Sequence, residues 1–360
     1  MYFKEDARIT DEEYLKTYNI FKVGDIAFEG NKSNDFSHGR FVENTIGDGI
    51  VSHVFVVFRP LHDTHNLRYW KYAINNESVM GRILARCTKK TTMMTNLVTK
   101  DFLNQTILCP SAQEQDKIAN LLDGISERIK LQKLYVESLK KYKRGLSDTL
   151  FAQIAHNPDC VIVKFGEAFE LLQNNTFSRE ELTDIPSSVQ NIHYGDVLIK
   201  YGSVVNIATD MPPYIKPSND LQRFSRSSYL CDGDIVFADT AEDYSVGKAT
   251  EIVGVNGASV LSGLHTIPCR PFMKFQPMYL GFYFNSSLFR AQIYPLVQGT
   301  KVSSISKGEL AKVSVHIPNE GDQRRIASML YSLDLRVAHE ERQVKALTDV
   351  KAAFLQQLFI

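Results

Sequence analysis

Two stretches of the chain carry the same alternation of apolar and polar positions. Apolar residues recur three and four positions apart over 118–150, and the same spacing returns over 326–358. Such spacing is typical of a helix that packs along one face against another helix. The pattern therefore predicts two helices of about 40 residues, roughly 60 Å long, too long for a small core to bury. We expect them to bury their apolar faces, here called the seam, against each other in antiparallel orientation.

The predicted interface of this helix pair is made of apolar residues at equivalent positions in the two stretches. It consists of Ile118, Leu122, Ile125, Ile129, Val136 and Leu139 in the first stretch and of Ile326, Leu330, Leu333, Val337, Val344 and Leu347 in the second. Polar residues interrupt both copies at the same places, at Gln132 and Lys143 in the first and at Glu340 and Lys351 in the second. Polar residues on such a seam fix register and orientation at some cost in stability.

Both helices carry their own start signal. Ser111 follows a proline and precedes Glu114 by three positions, the pattern of a capping box, and Asn319 and Asp322 hold the same two positions in the second copy. These signals place the helices at about 111–152 and 319–359.

The repeat extends beyond the helices. The segment 21–28 matches 230–237, and in both a Gly-Asp turn leads into a short apolar run that predicts a strand. The first globular half has about 110 residues and the second about 160, with the shortfall at the N-terminal end. A constant offset over such a length predicts two equivalent structural units in one polypeptide.

The predicted fold class is α+β, with two pseudo-repeated mixed α/β domains separated by two long antiparallel coiled-coil helices. The boundaries that follow are 1–108 for a shortened first domain, 109–153 for the central helix, 154–316 for the second domain and 317–360 for the last helix.

Composition narrows the function classes only slightly. Basic and acidic residues number 41 each, so the overall charge gives no sign of a nucleic-acid partner. The five cysteines are scattered and form no CxxC pair, which is typical of a reducing compartment and argues against zinc. The N-terminus has no apolar core of signal-peptide length and no apolar stretch is long enough to span a membrane. We expect a cytoplasmic protein with no membrane partner.

No persuasive active site is found in the sequence. Walker A, HExxH, GxSxG and clustered Cys/His motifs are missing, and the acidic residues around 234–243 are more simply solvated turn residues than a nuclease cluster. We therefore expect no catalytic residue, metal site or cofactor.

Local basic and polar clusters before the two helices are the candidate DNA-binding residues. They are Lys89, Lys90, Thr91 and Thr92 in the first half and Lys200, Tyr201, Arg223, Arg226, Thr300, Lys301, Ser303 and Ser304 in the second. Lys and Arg neutralise phosphates, whereas neighbouring polar side chains can read base edges. The recurrence of such clusters before the same helix in both halves favours a DNA surface.

Together these features resemble a known family. The order of globular half, long helix, globular half, long helix, with Pro followed by a Gln-x-x-Ile-Ala helix start and a Lys-x-Gly-Leu-x-x-x-Leu-Phe ending over 143–151, resembles the specificity subunit of type I restriction-modification systems. The resemblance implies that the globular halves are target recognition domains, each reading half of a split site in double-stranded DNA. It also implies that the paired helices dock two DNA methyltransferase subunits, that restriction (nuclease/translocase) subunits are further partners, and that this chain is non-catalytic.

Two other function classes stay open at this stage. A coiled-coil scaffold could join two copies of a non-DNA protein partner, and sequence-selective, salt-dependent DNA binding by the assembled complex would distinguish the two. A stand-alone nuclease or methylase is disfavoured by the missing motifs, and activity of the isolated chain would be needed to support it.

Overall fold

The computed structural model describes residues 12–62, 65–90, 94–299 and 302–359. The chain divides into two compact units: unit 1 contains residues 1–135 and 340–360, and unit 2 contains residues 136–339. Each long helix thus contributes one part to each unit, whereas the boundaries predicted from the sequence lie at the helix ends.

The fold is mixed α+β with open sheets. Its helices are α1 (Glu12–Leu15), α2 (Leu67–Ala73), α3 (Glu77–Cys87), α4 (Thr99–Leu103), α5 (Ala112–Ala155), α6 (Phe165–Ala168), α7 (Tyr194–Ile199), α8 (Ile207–Asp210), α9 (Tyr279–Phe284), α10 (Ser287–Ile293), α11 (Lys307–Leu310) and α12 (Glu320–Gln357). Short 3₁₀ turns cover Arg179–Glu181, Arg226–Ser228 and Tyr294–Leu296. No helix within the described ranges is both long enough and apolar enough to cross a membrane.

Strands are short throughout. They are β1 (Asn19–Phe21), β2 (Ile26–Glu29), β3 (Arg40–Glu43), β4 (Gly49–Val51), β5 (Val56–Phe58), β6 (Thr88–Lys90), β7 (Thr95–Leu97), β8 (Val161–Lys164), β9 (Phe169–Leu171), β10 (Leu182–Thr183), β11 (Gln190–Ile192), β12 (Val204–Asn206), β13 (Tyr214–Ile215), β14 (Ile235–Ala238), β15 (Thr240–Ala241), β16 (Ala249–Val253), β17 (Val260–Ser262), β18 (Thr266–Pro271), β19 (Ser303–Ser304) and β20 (Ser314–Ile317).

The two long helices begin where the sequence predicts. Glu114 accepts the Ser111 backbone N–H at 3.1 Å, while Ser111 Oγ accepts the Glu114 N–H at 3.4 Å, which completes the capping box. In the second copy, Asn319 Oδ1 accepts the Asp322 N–H at 3.0 Å. These bonds satisfy amides that a helix start otherwise leaves unpaired, and the prediction of two long helices is confirmed.

A glutamine in each copy ties the helix start to the preceding proline. Gln115 Nε2 donates to the Pro110 carbonyl at 2.9 Å, and Gln323 Nε2 donates to the Pro318 carbonyl at 2.8 Å. Both glutamine side chains are buried. The chain therefore enters both helices by the same hydrogen bond, so these prolines are reliable markers of equivalent positions.

In unit 1, the first part of α5 packs against the last part of α12. Ala119 and Leu122 form a buried cluster with Phe359, and Phe354 and Leu358 lie against it. The beginning of one helix thus contacts the end of the other, which makes the pair antiparallel. Closer to the middle of both helices, Gln132 Nε2 donates to Glu340 Oε2, so two of the predicted seam interruptions meet.

In unit 2, the last part of α5 packs against the first part of α12. Leu150, Phe151 and Ile154 share one core with Ile326 and Leu330. The end of α5 thus contacts the beginning of α12, so the two helices are antiparallel here as well. Each of the twelve seam residues predicted from the sequence is buried or half-buried.

The two seam lysines contact aromatic rings of the globular parts. In unit 2, Lys143 Nζ lies 5.4 Å from the centre of the Phe282 ring in α9 and pairs with Asp334. In unit 1, Lys351 Nζ lies 5.4 Å from the centre of the Tyr72 ring in α2. A cation over a ring face is attracted by the ring quadrupole. The repeated contact therefore fastens each helix to the globular part of its unit.

Both units contain the same three-stranded antiparallel core. In unit 1 the order is β3-β2-β5, and in unit 2 β16-β14-β18 holds the corresponding positions within a five-stranded sheet of order β12-β16-β14-β18-β9. Unit 2 adds a four-stranded sheet of order β10-β13-β11-β17, most of it from the segment that the first half lacks.

A buried aspartate before the central strand is clamped by an arginine in both units. Asp25 accepts hydrogen bonds from Arg59 at 2.7 and 2.5 Å, and Asp234 accepts them from Arg270 at 2.8 and 2.6 Å. Each aspartate is about 1% exposed. Paired, bidentate geometry offsets the cost of burying a carboxylate.

The two clamps differ in the pKa of their carboxylates. Burial raises the pKa of Asp25, but the hydrogen bonds from Arg59 and the Lys22 amide outweigh burial, so the pKa lies below its ordinary value. Burial of Asp234 raises its pKa more than Arg270 lowers it, and the net direction is upward. The same contact therefore lies in a more thoroughly desolvated place in unit 2.

A buried glutamate at the start of α9 holds this helix on the sheet of unit 2. Glu251 is 2% exposed and accepts the N–H groups of Met278 at 2.6 Å and Gly281 at 2.8 Å. Burial raises its pKa from the ordinary 4.5 to about 7. Residue 281 has to be glycine, because a Cβ there would lie 2.0 Å from the Ser203 carbonyl oxygen.

Truncation of a seam leucine tests the helix pair. We expect Leu122→Ala to lower the free energy of unfolding by about 2 to 5 kcal/mol, because it leaves a cavity in the buried cluster of unit 1. Leu131→Ala is the matched control, since Leu131 lies on the same helix but is 54% exposed, and we expect less than about 0.5 kcal/mol. Chemical denaturation followed by circular dichroism measures both. Equal losses would contradict the packing.

The raised pKa of Glu251 predicts that the stability of the fold depends on pH. Because its folded pKa is above the unfolded value, the folded state binds the proton more tightly. Its contribution to stability is present below about pH 4.5 and is lost as pH rises through about 7. Glu251→Gln cannot ionise, so the difference in unfolding midpoint between wild type and variant should change in favour of the variant across this window. A difference that stays constant from pH 4 to 8 would refute the assignment.

Candidate nucleic-acid and partner interfaces

The polar segments before the two long helices occupy equivalent places in the two units. In unit 1, the chain returns from the β6–β7 hairpin so that the Thr95 N–H donates to the Gly30 carbonyl at 2.8 Å. In unit 2, the Ile305 N–H donates to the Asp239 carbonyl at 2.9 Å. Gly30 and Asp239 each follow the central strand of their sheet. The two segments are therefore repeated loops that return to the end of the same strand.

Of the candidate residues in unit 1, Lys89 is exposed on β6, opposite Asn96 of β7. Lys90 is the last residue of β6. Thr91 and Thr92 lie outside the described residues.

In unit 2, the candidate loop is held by a short antiparallel pairing. Ser304 pairs with Thr240 and Ser303 with Ala241. The Ser304 side chain is exposed, whereas Ser303 is half-buried. Thr300 and Lys301 lie outside the described residues.

A polar aromatic cluster lies next to this pairing. His265 Nδ1 lies 3.5 Å from Thr240 Oγ1 and 3.6 Å from Asp239 Oδ1, and the His265 ring meets the edge of Tyr194 at 5.3 Å. The His265 side chain is 47% exposed. Such groups can donate to or accept from phosphates and base edges. One feature of the sequence points to this cluster: His265 directly precedes the apolar strand β18.

Arg223 is held by aromatic rings and stays exposed. Its guanidinium lies 5.1 Å from the centre of the Phe177 ring and 5.0 Å from that of Phe224, and both rings are buried. Stacking restricts the long side chain but leaves the N–H donors available. Arg226, also exposed, begins a 3₁₀ turn at the rim of a cavity of about 880 Å³.

Lys200 and Tyr201 have different environments. Lys200 is exposed, and its Nζ donates to the Asp210 carbonyl at 3.4 Å. Tyr201 is 4% exposed and belongs to a buried apolar cluster, where burial raises the pKa of its hydroxyl. The sequence interpretation of Tyr201 as a DNA contact is therefore wrong: its aromatic ring is needed to fill the core between α7 and the sheet.

In the acidic segment around 234–243, Asp234 is buried in a structural contact and is not the solvated turn residue that the sequence suggested. Asp234 is clamped by Arg270. Lys248 Nζ donates to the carbonyls of Leu198 at 2.8 Å and Tyr201 at 3.0 Å, and burial lowers its pKa. Among the residues that the structure describes, no three His, Cys, Asp or Glu side chains are placed to hold a metal ion.

The outward faces of the long helices expose apolar residues at repeated positions. Leu121 on α5 and its equivalent Met329 on α12 are both 39% exposed, and Tyr142 and its equivalent Val350 are 60% and 46% exposed. An exposed apolar position that recurs in both copies is a candidate contact for two copies of one partner.

The fold is similar to that of two solved proteins. One is a component of a type I restriction-modification system whose complex assembly and conformational transition have been described; it is 16% identical, the match covers 95% of this chain and 83% of that chain, and the TM-score is 0.59. The other is the S subunit of a type I restriction-modification system from M. genitalium, 16% identical over 95% of this chain and 84% of that chain, with a TM-score of 0.52. At such identities the similarity shows a shared fold. No family model and no curated protein sequence matches the chain.

Proposed function

We propose that the chain is the DNA-specificity subunit of a type I restriction-modification complex. The observation that carries this proposal is the shared fold with the M. genitalium S subunit over nearly the whole chain, together with the internal repeat. A chain with two equivalent units suits a DNA site with two separated halves, as dimeric DNA-binding proteins suit split operators. Methyl transfer would then belong to a partner subunit, and this chain would select the site.

In unit 2, the proposed DNA surface includes Arg223, Arg226 and Lys200. A guanidinium that is restrained by ring stacking loses less entropy when it binds a phosphate or a guanine edge. Ser303 and Ser304, with neighbouring Thr300 and Lys301, supply hydroxyls and one more cation from the repeated loop. In unit 1, the equivalent loop supplies Lys89 and Lys90, with Thr91 and Thr92.

The proposed docking sites for two methyltransferase subunits are the outward helix faces. Apolar side chains exposed on a helix tend to be covered by a partner, and Tyr142 and Val350 hold equivalent positions in the two copies. Restriction subunits would join the complex through the methyltransferases or directly.

Reconstitution tests the proposal as a whole. The chain is mixed with a type I modification subunit from the same source, S-adenosylmethionine and a DNA library, and methylated sites are mapped. We expect methylation at one bipartite sequence only when both proteins are present. A complex that forms but neither binds nor methylates DNA selectively would favour the scaffold alternative, and failure to form a complex would overturn the proposal.

The larger second unit leads to a prediction about DNA affinity. We expect Arg223→Ala with Arg226→Ala to weaken binding of the reconstituted complex to its target more than Lys89→Ala with Lys90→Ala, because the second sheet that supports Arg223 has no counterpart among the described residues of unit 1. Each lost base contact should cost about 1 to 3 kcal/mol, and each lost phosphate contact should reduce the slope of log affinity against log salt by about one.

Binding is measured at several salt concentrations, with Lys307→Ala and Lys312→Ala as the control for loss of two exposed lysines from unit 2. Equal losses of DNA affinity for the two test pairs would mean that unit 1 contributes as much to binding as unit 2. A larger loss for the lysine pair would reverse the assignment.

A second prediction concerns stoichiometry. We expect Tyr142→Glu and Val350→Glu each to reduce the number of bound methyltransferase subunits from two to one, because each puts a charge into one of two equivalent apolar contacts. The double variant should bind none. Native mass spectrometry counts the subunits, and Val23→Glu, at a 46% exposed position in the globular part of unit 1, is the control. Two bound copies in the double variant would place the docking surface elsewhere.

A further inference from the structure

A six-residue motif follows the central strand in both units. Residues 35–40 read Asp-Phe-Ser-His-Gly-Arg, and residues 243–248 read Asp-Tyr-Ser-Val-Gly-Lys. The glycines of the two copies, Gly39 and Gly247, both have a left-handed backbone, with φ of 82° and 75°, which favours glycine at this position. The motif is therefore a repeated turn, with an aromatic residue at its second position in each unit.

This aromatic residue is exposed to different degrees in the two units. Tyr244 is 86% exposed, although its ring is large. Phe36 is half-buried, and the guanidinium of Arg40 lies 5.6 Å from the centre of the Phe36 ring. A single exposed apolar side chain is common on protein surfaces. What sets Tyr244 apart is that the backbone that carries it is fixed.

A buried arginine fixes the backbone of the turn in unit 2. Arg290 of α10 is 8% exposed, and its guanidinium donates to the Tyr244 carbonyl at 2.6 Å and to the Val246 carbonyl at 2.7 Å. Asp243 accepts the Ser245 N–H at 2.8 Å. Hydrogen bonds to a charged group are stronger than those between neutral groups. The Tyr244 ring is therefore presented to solvent from a rigid backbone, which lowers the entropy lost when the ring binds.

Tyr244 lies next to the loop that we assign to the DNA surface of unit 2. The strand β15 leads into the turn and pairs with β19 of that loop, with Ala241 opposite Ser303. Tyr244, Tyr294 and Ser303 line one cavity of about 600 Å³. The exposed ring is thus continuous with the proposed DNA surface.

The charges beside Tyr244 decide which part of the DNA the turn can contact. Glu242 and Asp243 are exposed and line the same cavity. Carboxylates repel phosphates, whereas a carboxylate can accept a hydrogen bond from the amino group of a base. An aromatic ring offers a face on which any base can stack. The turn therefore suits contacts with bases and not contacts with the phosphate backbone.

We propose that Tyr244 occupies the space left by the base that is methylated, in the half of the DNA site bound by unit 2. This inference rests on the proposed function. An enzyme that modifies a base within a duplex extrudes the base, and opening the stack costs free energy. An apolar side chain inserted into an opened step covers the base faces that are exposed there. Tyr244 would then be a positioning residue for a reaction that the partner subunit performs.

The test measures methylation by the reconstituted complex in single turnover at saturating protein, which separates the rate from DNA affinity. We expect Tyr244→Ala to slow methylation in one half of the site roughly tenfold or more on a fully paired duplex, because nothing then fills the opened step. Methylation in the other half of the site, served by unit 1, should keep its rate. Tyr244→Phe retains the ring and should keep both rates.

Mispaired DNA distinguishes this role from an ordinary groove contact. A mismatch at the target base lowers the cost of extruding it, so Tyr244→Ala should recover most of the wild-type rate on such DNA. Phe272→Ala is the matched control and should keep the wild-type rate on both substrates. Phe272 is 65% exposed in the same unit but follows the end of β18 that is farther from the turn.

Three results would overturn the inference: a wild-type rate for Tyr244→Ala on paired DNA, equal slowing in both halves of the site, or no recovery on mispaired DNA. An equal loss in Phe272→Ala, or a lower thermal unfolding midpoint in Tyr244→Ala, would overturn it as well, since the effect would then be general or structural. Lack of selective methylation by the wild-type complex would instead contradict the proposed function, so the two failures are distinguishable.

Discussion

The apolar seam of two long helices is the constraint on which the rest of the structure depends. Neither α5 nor α12 can bury its seam within its own small globular part, because a helix of 44 residues extends about 66 Å. Each helix therefore needs the other, and globular elements of both units pack on this pair. Gln132 and Glu340 are equivalents of each other in the repeat, and they are hydrogen-bonded. Equivalent residues of two antiparallel helices can meet only where the pair passes its midpoint, so this contact selects one register among those that the apolar residues alone would allow.

The globular parts are attached to the helices by lysine side chains, which would be unfavourable in an apolar seam if they had no partner. A lysine among leucines would cost free energy if its charge were left unpaired. Here Lys143 and Lys351 each lie over an aromatic ring of the neighbouring short helix, so their charge has a partner and their stem covers apolar surface. The polar breaks of the seam therefore have two functions: one pair sets the register of the helices, and the other attaches the domains.

The sequence predicted the elements whose signals are local and periodic. The helix starts at Ser111 and Asn319 depend on bonds between residues three positions apart, and the seam depends on spacing, so both could be derived from the sequence alone. The partners of Lys143 could not, because Phe282 lies far away in the chain. Tyr201 was misassigned for a related reason: a tyrosine next to a lysine has the same local pattern on a surface and in a core, and only the packing of α7 on the sheet decides between them. The rings that restrain Arg223 could not be predicted either, since Phe177 is distant in sequence and reaches Arg223 only through the fold.

Duplication makes the differences between the units informative. The three-stranded core, the Asp–Arg clamp, the glutamine at the helix start and the lysine on its ring are present in both copies, so these features serve the framework that any such unit needs. Among the described residues, the sheet around Arg223 is present in unit 2 only. The extra sheet adds the exposed Arg223 and the aromatic rings that restrain it without changing the framework that both copies share, which is how an added surface element can be tolerated.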